Sequence, residues 1–248
     1  MHLLETQTVC QRFGSFRALN DVNLCVAPRC VHALIGPNGA GKSSLMNVLA
    51  GAVAPASGKV LFKDRDVTAM PVHRRALLGI GRSYQVVKLF EGLTCQQVAE
   101  IAVQRDLPSW RWLMTSSRAH IQAKARALLE SAGLAVYADV ETNTLAHGIQ
   151  KRLEIALAVA NDAQLLLLDE PMAGLTAHER VELATLIRSL AQRSAVVFVE
   201  HDMDMVMSLA DRISVLHNGE LIAEGTPDEI RADETVQRIY LHRERHDA

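Results

Sequence analysis

The sequence predicts an α/β fold: a mainly parallel sheet flanked by helices, an antiparallel β subdomain, and a helical subdomain inserted between sheet segments. Three observations predict it. In the last third of the chain, short apolar runs at Leu165 to Leu168, Ala195 to Val199 and 213–216 alternate with helix-forming stretches, the pattern of a parallel sheet with helices on its faces. The first thirty residues alternate instead, with Val22, Leu24 and Val26 separated by polar or small residues, which reads as antiparallel strand. Between these regions, from about Leu93 to Ala160, helix formers dominate, broken at Pro108 and Gly133.

The remaining elements follow in order. Val31 to Ile35 is a strand-length apolar run stopped by Gly36-Pro37, a helix-like stretch runs from Lys42 to Leu49, and Val60 to Phe62 reads as another strand. No Gly/Ser-rich linker and no internal repeat divides the chain, so the helical part is expected to be embedded and not a separate bead. The 248 residues, 49% hydrophobic and 22% charged, suffice for one large α/β domain.

Composition also excludes functions. A net charge of −2 leaves no basic footprint for nucleic acid. No apolar run approaches the ~20 residues that span a bilayer, and the N-terminal stretch MHLLETQTVCQRFG has no basic segment followed by an apolar one, so a cytoplasmic location is expected. Cys10, Cys25, Cys30 and Cys95 form no C-x-x-C pair and are expected to be free thiols, with no metal site. Trp110 and Trp112 read as packing residues, and His73-Arg74-Arg75 as a solvated surface.

Gly36-Pro37-Asn38-Gly39-Ala40-Gly41-Lys42-Ser43 fits G-x-x-x-x-G-K-[ST]. Its glycines let backbone N–H groups turn inward around phosphate oxygens, and the helix that follows, with Ser44 in its first turn, offers a positive N-terminal end. Lys42 is placed to reach the β- and γ-phosphates, and the Ser43 hydroxyl to ligate Mg²⁺. Leu165-Leu-Leu-Leu-Asp169-Glu170 supplies the complement: a strand buried on both faces ends in two carboxylates, where open α/β sheets place ligands. Successive strand side chains point to opposite sides, so the two carboxylates are expected to hold different roles. Asp169 is assigned to Mg²⁺, and Glu170 to orienting and polarising the attacking water.

Two further segments narrow the reading: Leu145-Ala146-His147-Gly148-Ile149-Gln150-Lys-Arg before the acidic strand, and Val199-Glu-His201-Asp after it. In kind and order the motifs resemble those of the ABC ATPase family, over essentially the whole chain. The resemblance implies a RecA-like phosphate-loop core, ATP and Mg²⁺ as ligands, and one ATPase domain. Residues 1–87 and 161–248 would form the nucleotide-binding core with its β subdomain, and 88–160 the helical and signature subdomain.

Phe13 matches the aromatic that stacks on adenine, and Gln85, in Gly81-Arg-Ser-Tyr-Gln85, the glutamine that senses Mg²⁺ and water. Ala146, His147, Gly148 and Gln150 match the signature loop that meets the ATP of a partner subunit; His201 matches the histidine that contacts the γ-phosphate. Ala173-Gly-Leu-Thr176 matches the loop that crosses the dimer interface.

Within the family the sequence is similar to the ATPases of branched-chain amino acid uptake and of urea or amide transport. The carriers are the loop Val86 to Phe90, Glu200-His201-Asp202-Met203, Glu224-Gly-Thr-Pro-Asp-Glu-Ile230 and Arg238-Ile-Tyr-Leu241. Lipopolysaccharide-export ATPases share much of this pattern. The implied partners are transmembrane permease subunits, a second ABC ATPase (the same or a homologous chain) and, indirectly, a solute-binding protein, with the chain peripheral on the inner face of the membrane. A soluble ABC ATPase of DNA repair or translation would usually carry a long coiled-coil insertion or a tandem cassette, and neither is present. A nucleotide-binding regulatory module without hydrolysis is the other reading, opposed by Glu170, Gln85 and His201. Three departures from the family pattern bear on turnover and on the geometry of strand onset: Ala146 for serine, Ile149 for Gln or Glu, and Arg29-Cys30 for a Gly-Glu turn.

Overall fold

The computed structural model describes residues 2–83, 90, 92–104, 115–160 and 162–241. Gln85, Trp110 and Trp112 lie outside the described residues. Among those described, six strands form one sheet: β4 (Val31–Ile35), β7 (Ile80–Arg82), β8 (Leu165–Asp169), β9 (Ala195–Val199), β10 (Arg212–His217) and β11 (Glu220–Gly225). Their order is β11-β10-β4-β9-β8-β7, and every neighbouring pair is parallel except the edge pair β10–β11. That hairpin turns through Asn218-Gly219, both at positive φ (48° and 82°), the backbone a tight two-residue turn demands.

The second sheet is antiparallel. It is built from β1 (Leu4–Phe13), β2 (Phe16–Val22), β3 (Cys25–Val26), β5 (Ser57–Phe62) and β6 (Arg65–Asp66). The alternation expected through Val22, Leu24 and Val26 survives as burial, since all three are fully buried. The strand itself breaks there, because the Leu24 N–H donates to the Thr6 hydroxyl at 2.8 Å.

The parallel sheet is buried on both faces, as its apolar runs require. Leu165 and Leu167 pack with Leu34 and with helix α1 (Lys42–Ala50) in a cluster that includes the antiparallel sheet. Leu166 and Leu168 face the other way, into a cluster with the helices α3 (Cys95–Val103), α4 (Thr115–Ser131), α5 (His147–Ala158), α6 (Ala177–Ala191) and α7 (Met203–Leu209). The inserted helices therefore share one core with the sheet.

Arg75 overturns one expectation. It belongs to α2 (Val72–Leu77) and is fully buried instead of solvated. Its guanidinium donates to the Val48 and Leu49 carbonyls at 2.7 and 2.8 Å, and to those of Thr68 and Met70, both at 3.0 Å. Val48 and Leu49 lie in the last turn of α1, where carbonyls run out of helical partners; the Gly51 N–H donates to the Val48 carbonyl at 3.1 Å. A planar fork of five donors can satisfy several at once, and burial pulls the Arg75 pKa down to about 10. The four cysteines are free thiols.

Arg29 explains how the chain dispenses with the Gly-Glu turn. It takes φ 53°, the left-handed region, at a cost of roughly 1–2 kcal/mol for a residue with a side chain. Cys30 then turns inward, and its carbonyl accepts the Val196 N–H at 2.8 Å, so β4 starts in register with β9.

Candidate nucleotide site

Strands β4, β9, β8 and β7 are adjacent and parallel, so their carboxyl ends open on one edge, where such sheets bind ligands. Gly36 follows β4, Glu170 follows β8, His201 lies just past β9, and β7 ends at Arg82. Sheet order alone brings together residues more than 150 positions apart.

The phosphate loop is shaped by its glycines. Gly36, Gly39 and Gly41 take φ 152°, 80° and 106°. A Cβ on Gly36 would collide with the Leu216 carbonyl and one on Gly41 with that of Ala18, whereas nothing lies within 4 Å of the Cβ position at Gly39. The loop therefore packs tightly on one side and is open on the other, the concavity a chain of phosphates needs. The Ala40 N–H donates to the Pro37 carbonyl at 3.1 Å and the Gly219 N–H to the Ala40 carbonyl at 2.9 Å, which ties the loop to the β10–β11 hairpin. Lys42 Nζ donates to the Gly36 and Pro37 carbonyls at 2.7 and 3.0 Å. Asn38, Gly39 and Ser43 are exposed, and α1 begins at Lys42 with Gly41 as its N-cap.

Asp169 closes β8, with an Arg82 guanidinium nitrogen 3.9 Å from its carboxylate. Burial pushes its pKa up, Arg82 opposes, and the charges of Glu170, Lys151 and Lys42 also reach it. Glu170 takes φ 46°, and its N–H donates to the Val199 carbonyl at 3.0 Å. The two carboxylates are thus separated by a left-handed turn and not by the pleat of one strand. The segment after Glu170 is held by Glu200, buried at the end of β9, whose Oε1 accepts the Met172 N–H at 2.8 Å. Burial raises the Glu200 pKa, with the Met172 N–H opposing. His201 is exposed beside it.

The signature segment behaves differently. Ala146 is the N-cap of α5 and offers no side-chain acceptor. Ala146 and His147 are exposed and Gly148 is buried. Gln150 donates from Nε2 to the Thr142 carbonyl at 3.0 Å, and Ile149 packs against the large apolar cluster, which accounts for an apolar residue where the family has Gln or Glu. Among the described residues no group of three or more His, Cys, Asp or Glu could form a metal cage. The donors at hand, the Ser43 hydroxyl and the Asp169 carboxylate, suit Mg²⁺, a hard cation that takes few protein oxygens and completes its shell with water and phosphate.

A family model described as ABC transporter matches residues 19–173. The chain belongs to the ABC transporter family.

A second model, described as branched-chain amino acid ATP-binding cassette transporter, matches residues 220–241. The high-affinity branched-chain amino acid transport ATP-binding protein LivG of Escherichia coli K12 is 38% identical, over 96% of this chain and 97% of its own. BraF of Pseudomonas aeruginosa, of the same description, is 36% identical over 96% and 97%. The lipopolysaccharide export system ATP-binding protein LptB of Acidithiobacillus ferridurans is 32% identical over 96% of each. Among solved structures, a nucleotide-free ATP-binding cassette from an ABC transporter superposes with a TM-score of 0.84 at 26% identity, covering 97% of this chain and 99% of that one. The ADP conformation of the cassette MJ1267 does so with the same score, identity and coverage. As an ABC ATPase, the chain binds and hydrolyses nucleotide.

In this ABC ATPase, several residues that shape the site were not legible as such. Phe13 is 51% exposed and sits opposite Phe16, 60% exposed, at the tip of the β1–β2 hairpin. Directly opposed residues share a face, so two rings stand where the sequence singled out one. Arg82 and Glu200 sit inside motifs without a role of their own and Glu179 outside any, and the sheet order and the contact of α5 with α6 reveal what they touch.

Proposed function

We propose that this ATPase powers uptake of branched-chain amino acids or a related small amide through a membrane permease. The reading is carried by the match of residues 220–241 to the branched-chain amino acid cassette model, and LivG and BraF, relatives along nearly the whole chain, support it. Two subunits, this chain twice or with a homologous one, would sandwich two ATP molecules between phosphate loops and opposing signature loops, a reciprocal two-fold arrangement. Permease subunits would seat the pair on the inner face of the membrane, with a solute-binding protein delivering solute from outside. Among the described residues no helix is long and apolar enough to cross a membrane.

Each residue has a task in the sandwich. Lys42 and the N–H groups of Gly39 to Ser43 hold the β- and γ-phosphates, Ser44 lines the cradle, and the Phe13–Phe16 tip stacks on adenine. Ser43, Asp169 and Gln85 would hold Mg²⁺, which would supply positive charge to offset that of the phosphates. Glu170 takes a proton from water as its oxygen attacks the γ-phosphorus and the bond to ADP breaks, while His201 steadies the γ-phosphate. Ala146, His147, Gly148 and Gln150 face the partner's nucleotide. We divide the chain accordingly into a core (1–87 and 161–248) and a helical subdomain (88–160).

The Glu170→Gln variant tests the sandwich. Gln keeps size and hydrogen bonding but cannot act as a base, so ATP should convert the chain, or its mixed pair, to a stable dimer in sizing chromatography. Wild-type turnover in that variant would remove Glu170 from its role. For the solute, cells lacking this chain should lose uptake of labelled leucine, isoleucine and valine at low concentration. Intact uptake with impaired lipopolysaccharide delivery would favour export instead.

A further inference from the structure

The first turn of α5 contains a second anion besides the phosphate the sandwich would bring. A helix N-terminus leaves N–H groups without partners, and a Ser N-cap would normally accept one of them. Ala146 cannot, and it makes no side-chain cap. A carboxylate from another helix lies against this helix end. Glu179, in the first turn of α6, accepts the Thr176 N–H and hydroxyl through Oε2, both at 2.8 Å. Its Oε1 is turned toward Gly148: a Cβ built on Gly148 would collide with Oε1, Cδ and Cγ of Glu179. The Thr176 N–H and hydroxyl, and then the Gly148 N–H and His147, hold the Glu179 carboxyl below its ordinary value of 4.5. A second tie runs parallel to the first, with Arg152 of α5 3.1 Å from Glu182 of α6. His147 meanwhile packs over Gly174, with ring atoms 3.5 Å from where a Gly174 Cβ would lie.

We propose that Glu179 is an intramolecular competitor of the γ-phosphate: it caps the Gly148 N–H in the open subunit and yields it when the ATP sandwich closes. The proposal rests on the sandwich reading above. One donor cannot serve two anions, and a carboxylate beside the arriving phosphate repels it. Thr176 supplies the two donors that keep Glu179 where it is, and Thr176 ends the 173–176 loop expected at the dimer interface. Rearrangement of that loop on contact with the partner therefore releases the carboxylate that guards the signature helix. Glu179 is a positioning and restraining residue, not a catalytic one. Its charge raises the ATP concentration needed for closure.

The test is ATP-dependent dimer formation by Glu170→Gln alone and by Glu170→Gln/Glu179→Gln, with the partner chain present if the pair is mixed. Removing one charge from a helix end is expected to lower the midpoint ATP concentration by about twofold to fivefold. A residue that merely braced the fold would act in the opposite direction, so an unchanged or raised midpoint overturns the proposal. If Glu170→Gln alone forms no dimer with ATP, the sandwich reading fails separately. Amide hydrogen exchange on the nucleotide-free wild type then still decides the cap, and does so even if the Glu179 variant does not fold. The Gly148 amide should exchange more slowly than that of His147, one residue nearer the helix end. Equal, fast exchange at both overturns the cap.

Discussion

Lys42 donates to two carbonyls of its own loop, Gly36 and Pro37, which hold its ammonium over the cradle, and its charge reaches Asp169 across the site. Hydrogen bonds to charged groups contribute about 1.5–3 kcal/mol each, so Lys42→Ala should abolish hydrolysis and weaken ATP binding by about tenfold or more. Calorimetric titration is the check, and unchanged affinity would remove Lys42 from the phosphates. Ala146 invites the opposite experiment. A serine there would add one hydroxyl to a helix end already served by backbone N–H groups, so Ala146→Ser should change kcat by no more than roughly tenfold. A rise of hundreds-fold from near zero would mean that this signature loop is degenerate and that the other site of the dimer does the hydrolysis. At Gly148 the free space is taken up by Glu179. Gly148→Asp sets a carboxylate against that carboxylate and against the expected γ-phosphate, and steady-state ATPase should fall nearly to zero.

Among the elements, α1 shows how a buried charge can be structural. It starts at the phosphate loop with Gly41 and ends at Gly51, both left-handed, and Arg75 of α2 closes its last turn. Replacing Arg75 with Met keeps the bulk but takes the guanidinium from four carbonyls, of which Val48 keeps the Gly51 N–H at 3.1 Å. The expected cost is about 3 kcal/mol or more, a fall in Tm of roughly 6–12 °C for a chain of this size, with ATP affinity changed far less. Thermal unfolding with and without nucleotide separates the two, and a Tm within 2 °C of wild type would show that water replaces the guanidinium. The helices α5 and α6 are joined end to end through Glu179 and, farther along, Arg152–Glu182, so the signature turn and the loop after Glu170 are expected to shift together.

At the scale of the whole molecule, His32 reports on the integrity of the sheet. It lies on β4, fully buried, with Nε2 2.7 Å from the Ser214 hydroxyl of β10. Ser214 donates to Glu224 of β11 at 3.0 Å, and Arg212 lies 3.2 Å from the same carboxylate. Since the serine proton goes to Glu224, His32 donates from Nε2, and its Nδ1 is left without a partner. Burial lowers the His32 pKa from 6.5 to about 4, with Glu224 opposing and Arg212 assisting. A depressed histidine is neutral in the fold and protonated in the unfolded chain between those values. Its contribution is therefore complete above pH 6.5 and is lost as pH falls toward about 4, about 3 kcal/mol in all. Urea unfolding across that window should show this slope in wild type and its loss in His32→Asn; identical slopes would mean that His32 takes up its proton at the same pH in the fold as in the unfolded chain.

The sequence by itself determined every element whose signal is local. The phosphate loop and the leucine strand with its two carboxylates are contiguous patterns that imply their chemistry through residue type and spacing, whereas the histidine after the next strand and the signature segment take their roles from the resemblance to ABC ATPases. The α/β class followed from apolar periodicity for the same reason. Tertiary structure decided what depends on distant neighbours: that β4, β9 and β8 lie side by side, so that Lys42, Asp169, Glu170 and His201 share an edge. It also buried Arg75, whose surroundings in sequence read as surface, because two of the four carbonyls it satisfies, Val48 and Leu49, lie more than 25 residues away. It paired Glu179 with Gly148, a contact of two helix ends. Local pattern fixes what a side chain can do; the packing of distant backbone decides which partners it meets.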